Sequence, residues 1–233
     1  MNRVNKFICS ALLFVGVIFS ITGCANTTSE QKGPVQNQDI TQSEAKITVP
    51  TKENPLVINK EEGIVLFAAE VNGKYLYEAT RHGAVYKEGS NGNKALFRGL
   101  TEPEAFYNAL IEIGAKPGNN MTLDNKEKTH VQGDALDVKL TWQGADKDYD
   151  INDVVKDSNG NPIEMHFGGN LTNAQDKKTG CLLCLDSCPV GIGSNTTYTY
   201  GAVEKRDEVT FVGNKDILPA DGTLVIFKVT LKK

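Results

Sequence analysis

From Ile64 to Val71 the chain reads IVLFAAEV, apolar apart from Glu70 and bounded by Gly63 and by Asn72-Gly73. A short apolar run rich in β-branched and aromatic side chains predicts a buried strand. The stretch KYLYEAT (Lys74–Thr80) follows, and Asn72-Gly73 between the two favours a two-residue hairpin turn, because both central positions tolerate positive φ. DALDVKLTW (Asp134–Trp142) and EVTFVG (Glu208–Gly213) alternate as half-buried strands do. In the closing TLVIFKVTLKK, Val225, Phe227, Val229 and Leu231 form a wholly apolar face, with Leu224, Ile226, Lys228 and Thr230 opposite. Ile163–Phe167 alternates too, which puts His166 on the polar side of a strand.

One helix is clearly marked. In LTEPEAFYNALIEIGAKPG, Thr101 is the expected N-cap, Pro103 lies in the first turn and Glu104 completes a capping box. Phe106, Ala109, Leu110 and Ile113 then recur at helical spacing, and Gly114 offers a left-handed stop. Many short strands with one packed helix predict an α+β domain that is mainly β, antiparallel-strand-rich and single.

The N-terminal region has a different composition. Arg3 and Lys6 precede an apolar stretch from Phe7 to Ile21, the length of a signal-peptide core and short for a membrane span. It ends in Ile21-Thr22-Gly23-Cys24, which resembles a bacterial lipobox. That resemblance implies cleavage after residue 23 and acylation of Cys24, with Cys9 lost in the signal peptide; an ordinary secretory signal is the alternative. Residues 24–54 are polar, with few large apolar side chains, and are expected to be a flexible tether. The folded domain is then 55–233, outside the cytoplasm and held to membrane lipid through Cys24.

Removing Arg3 and Lys6 leaves 23 basic against 29 acidic residues, a net charge of about −6 with neutral histidine. An acidic surface without a Lys/Arg cluster excludes nucleic acid as an expected partner. No G-x-S-x-G, H-E-x-x-H or phosphate-loop motif is present, so an enzyme is not expected.

Four features stand together: ALFRGLTEPEAFYNALIEIGAKPGNN from Ala95, FGGN from Phe167, GCLLCLDSCPVGI from Gly180, and a closing strand after LPADGT. This combination resembles the YdjY-type bacterial lipoprotein domain over most of Gly63 to Lys233. Members of that family are described as ferredoxin-like or 4Fe-4S proteins, so the resemblance implies an iron–sulfur centre. Many relatives carry a His-Glu pair ahead of the helix. Here that stretch reads NKALFRG, and the nearest histidine, His82, is followed by Gly83.

The loop 180–193 holds Cys181, Cys184 and Cys188. Cys181-x2-Cys184-x3-Cys188-Pro189 repeats the last three cysteines of the bacterial ferredoxin pattern, but the first would fall at Lys178, so a ferredoxin fold is not expected. The three thiolates suit three irons of a [4Fe-4S] cluster, or a zinc or copper(I) ion with His166 or an acidic side chain as fourth ligand. Outside the cytoplasm a structural disulfide with one spare thiol is also open, as is reactive thiol chemistry. Asp186 between the cysteines disfavours thiolates unless a cation neutralises the group. His82 and His130 are expected in ordinary polar or exposed roles, and Trp142 in the core. Two functions remain: a lipid-anchored electron-transfer module with a redox partner protein, or a non-redox binding or scaffold protein stiffened by a disulfide.

Overall fold

The apolar run at Ile64–Val71 is a strand end to end in the computed structural model of the chain, which describes residues 48–233. The elements in order are β1 (Leu56–Asn59), β2 (Ile64–Val71), β3 (His82–Tyr86), β4 (Ala95–Gly99), α1 (Pro103–Glu112), β5 (Leu136–Trp142), β6 (Tyr149–Asp150), α2 (Ile151–Val154), β7 (Val155–Asp157), β8 (Met165–Phe167), α3 (Leu171–Lys177), β9 (Cys181–Cys184), β10 (Gly193–Asn195), β11 (Phe211–Gly213) and β12 (Leu224–Leu231). The domain is α+β and mainly β. The expected signal peptide and most of the expected tether, with Cys9 and Cys24, lie outside the described residues.

One sheet runs in the order β6-β5-β12-β2-β4-β3-β9-β10-β8, with β1 also paired to β2, and β11 and β7 form a separate pair. Most neighbours are antiparallel, but β3 runs parallel to β4 and β9 parallel to β10. The sheet curls until β8 reaches the lead-in to β5: His166 of β8 bridges Ala135, and the Phe167 N–H donates to the Asp134 carbonyl at 2.8 Å. Inside the curl, Phe67 stacks on Phe227 at 4.5 Å, while Phe97 and Phe106 meet that pair edge-on. Val225, Phe227 and Val229 face this core, as the alternation in β12 requires. Leu224 and Ile226 join a smaller cluster on the other side with Ile64, Leu66 and Val57.

The hairpin expected at Asn72-Gly73 is absent. β2 is paired to β12 on one edge and to β1 and β4 on the other, so no edge is left for a following strand. Gly73–Leu76 instead makes a 3-10 turn, with Gly73 N–H on Asp221 and Tyr75 buried. The hairpin partner of β2 is β1, which precedes it, and Gly63 turns between them at φ +67°.

α1 buries Phe106, Ala109 and Leu110 as the spacing predicts, and Gly114 follows at φ +89°. Its N-cap is Glu102, not Thr101, and no side chain caps it. Pro103 fixes the first helical φ, brings no N–H of its own to satisfy and holds Glu102 extended, which places the cap one residue after Thr101. A capping box does form at α2, between Asp150 and Asp153. The expected strand Glu208–Gly213 is reduced to β11, and Trp142 sits half-buried at the sheet's edge, stacked on Tyr149.

Candidate metal centre

β9 is entirely buried. In a regular strand residues three apart point to opposite faces, so Cys181 and Cys184 ought to diverge. They do not, because the pairing with β3 slips. His82 stands opposite Cys184, Ala84 opposite Leu183 and Val85 opposite Cys181, with a register break on either side of Ala84. The irregularity turns both Leu182 and Leu183 into the main core. Cys181 and Cys184 are left together on the other side with Val85, Ala95, Cys188 and Val190.

Gly83 lets β3 approach this distorted segment. A Cβ there would lie 2.9 Å from the Leu183 carbonyl oxygen and 3.3 Å from Leu185 Cδ2. His82 is thereby carried to the cysteines: a ring nitrogen of His82 and the sulfurs of Cys181 and Cys184 all lie within 4.8 Å of one another. His82 is 4% exposed and its Nδ1 has no hydrogen-bond partner. Burial, with the charge of Arg81, lowers its pKa to about 4, so the imidazole is neutral at pH 7 and able to ligate.

Cys188 closes the group from the loop after β9, and the loop is pinned by backbone contacts. Leu185 N–H donates to the Arg81 carbonyl and Ser187 N–H to that of Tyr198, each at 2.9 Å. From the α3 side, Asn170 Nδ2 donates to the Cys188 carbonyl at 3.2 Å and Asn173 Nδ2 to that of Pro189 at 2.9 Å. The three thiols are free and buried. Hydrogen bonds from Cys181 and Cys184 hold Cys188 well below the ordinary thiol range against the effect of burial, aided by Arg81 and the Val190 N–H. Cys184 is pushed well above that range by its bonds to the other two thiols and by burial. For Cys181 the bond from Cys184 works downward, but the bond to Cys188 and burial outweigh it, to about 12. Without metal the trio favours ionisation at Cys188 over Cys181 and Cys184.

The cation that Asp186 calls for is Arg81. Arg81 Nε lies 3.1 and 3.2 Å from the two Asp186 oxygens and Nη2 lies 2.5 Å from Oδ1, while Gly201 N–H donates to Oδ2 at 3.1 Å. Burial raises Asp186 to about 6 despite the guanidinium. Burial also works against the charge on Arg81, but Asp186 and Cys188 reverse it and raise that pKa. The two-pronged contact of the guanidinium with both carboxylate oxygens keeps the two groups charged at pH 7. The outer face of Arg81 is covered by the Tyr200 ring, 4.2 Å from the guanidinium carbon.

Cys181, Cys184 and Cys188 thus converge, as their spacing predicts. His166 stands elsewhere: it pairs with Ser194, which in turn pairs with Cys184, so it lies two strands from Cys184 in the same row of the sheet. Its Nδ1 is hydrogen-bonded to the Gly133 carbonyl at 2.9 Å. His82 was expected in an ordinary polar role and is instead buried beside the sulfurs; the adjoining Gly83, a mark of close backbone approach, is the local sign of it. His130 binds the Thr196 carbonyl through Nδ1 on the surface. Among the described residues no helix is long and apolar enough to cross a membrane.

No solved structure matches the chain. It is 57% identical over 181 residues to the Escherichia coli (strain K12) protein named "Uncharacterized protein YdjY", covering 77% of this chain and 80% of that protein. The YdjY domain family matches residues 56–230, three-quarters of the sequence and all of the strands that build the cysteine site, and the chain belongs to that family.

Proposed function

We propose that this chain is an extracytoplasmic protein, anchored by lipid on Cys24, whose β domain holds one thiolate-bound metal ion and passes electrons through it. The observation that carries the metal site is the convergence of His82, Cys181 and Cys184 to within 4.8 Å, with Cys188 alongside. A tetrahedral ion with metal–sulfur bonds of about 2.3 Å sets its ligand atoms roughly 3.5 to 3.8 Å apart. Donors within 4.8 Å of one another therefore need to close by at most about an ångström to hold one ion.

A four-iron cluster fits this donor set less well. Its thiolates bind separate irons with sulfide between them. Donors this close, in a group with no solvent exposure at Cys184 or Cys188, suit a single soft ion: zinc, copper(I) or iron. No ligand position faces solvent, which argues against a substrate at the metal and for electron transfer, since electrons need no opening. The same closure favours a second use, a zinc ion that only stiffens the loop. The lipid anchor is supported by the lipobox alone, and the redox partner is a protein met at the membrane surface.

Loading anaerobic protein with iron(II), copper(I) or zinc tests the proposal. His82→Ala, Cys181→Ser, Cys184→Ser and Cys188→Ser should each abolish the same metal signal, and the iron- or copper-loaded protein should exchange electrons with a small redox dye. A disulfide would instead leave one of the three cysteine variants indistinguishable from wild type. A metal that binds but never cycles would leave the stiffening role.

A further inference from the structure

Among the described residues, four buried side-chain polar atoms lack a hydrogen-bond partner: His82 Nδ1, Thr179 Oγ1, Ser194 Oγ and Arg98 Nε. Three of the four border the cysteine site. Thr179 lies two residues ahead of Cys181, and Ser194 stands opposite Cys184 where β10 pairs with β9. Ser194 has no solvent exposure, so water does not take up its hydroxyl from outside.

Gly191 brings Ser194 and the sulfur to the same point of the loop. A Cβ on Gly191 would lie 2.6 Å from Ser194 Oγ and 3.2 Å from Cys184 Sγ, so both atoms press on the bare Gly191 backbone and no larger residue fits there. Thr179, two residues ahead of Cys181, has a buried hydroxyl that is likewise without a partner. Buried hydroxyls are rarely left without a partner, and a partner of the right kind is the deprotonated sulfur that metal loading creates. A serine or threonine hydroxyl swings about χ1 to meet it.

We propose that Ser194 and Thr179 donate hydrogen bonds to the Cys184 and Cys181 thiolates of the loaded site, and that they set its metal affinity and electronic character. The proposal rests on the metal-site reading above. Each bond draws charge from its sulfur, which weakens donation to the metal and, at a redox-active ion, raises the potential. Both residues act through the cysteines and touch no metal; they are positioning residues.

Cobalt(II) is the probe, because its thiolate charge-transfer absorption reports the sulfur directly. The full chain is titrated anaerobically against a competing chelator. Ser194→Ala and Thr179→Val are each expected to shift the charge-transfer band and to change cobalt affinity about tenfold, the lower end for such supporting bonds. Ser194→Thr and Thr179→Ser, which keep the hydroxyl, are expected to stay near wild type in both. Bands and affinities unchanged in the alanine and valine variants would overturn the proposal. So would equal effects in the hydroxyl-keeping pair, which would mark packing as the cause. Wild type without a thiolate–cobalt band would overturn the metal site itself, and this proposal with it.

Discussion

Arg81 grips both oxygens of Asp186 from 105 positions away in the chain, with the two side chains 5% and 0% exposed. The acidic residue in the middle of the cysteine loop is thus neutralised by the residue next to His82. Breaking a buried pair strands a charge and costs about 3–5 kcal/mol. Asp186→Asn is expected to lower the urea unfolding free energy by about that amount with an unchanged slope. A loss under about 1 kcal/mol would show the pair to be solvated.

His82 makes acid stability informative. Its folded pKa, about 4, is below the unfolded value of about 6.5, so the unfolded chain binds the proton more readily between those limits. In metal-free protein the stability from a neutral His82 is fully present above pH 6.5 and is lost as pH falls towards 4, by at most about 3 kcal/mol. Asp186 works the other way, since its raised pKa of about 6 makes the folded state take up protons as pH falls. Metal-free His82→Gln should therefore lose distinctly less stability than wild type between pH 7 and 4. Parallel pH profiles would contradict the burial of His82.

Gly83→Ala places a methyl group 2.9 Å from the Leu183 carbonyl. Such overpacking costs about 1–3 kcal/mol, and β3 is expected to move off β9, carrying His82 away from the sulfurs. Metal affinity should fall together with stability in a chelator competition. Wild-type affinity in this variant would mean that His82 is not a ligand.

Much of the frame could be read locally. β5, β12 and the buried face of α1 each carry a period that points one set of side chains inward, and β2 is a continuous apolar run buried on both faces, so each is legible from its own residues. Asn72-Gly73 misled because turn chemistry speaks only for its own residues, whereas both edges of β2 were claimed by strands distant in sequence. The cysteines were legible because three of them sit on one short loop. His82 and Arg81 were not, since both owe their place to the β3–β9 register and its irregularity, of which Gly83 gives a local hint of close approach but not the partner. His166 drew notice by closeness in sequence, yet the intervening β10 keeps it two strands from Cys184.

Cys24→Ser addresses the anchor. If Cys24 is acylated, the variant should leave the membrane fraction and keep its uncleaved signal, because each buried acyl CH₂ contributes about 0.8 kcal/mol. Unchanged partitioning with normal processing would remove lipid anchoring from the proposal.

The most direct measurement is the content of metal and acid-labile sulfide per chain in protein purified without air. A single ion held by His82, Cys181, Cys184 and Cys188 predicts one zinc, copper or iron per chain and no sulfide. Four irons with matching sulfide, or protein that stays metal-free after attempted loading, would contradict it.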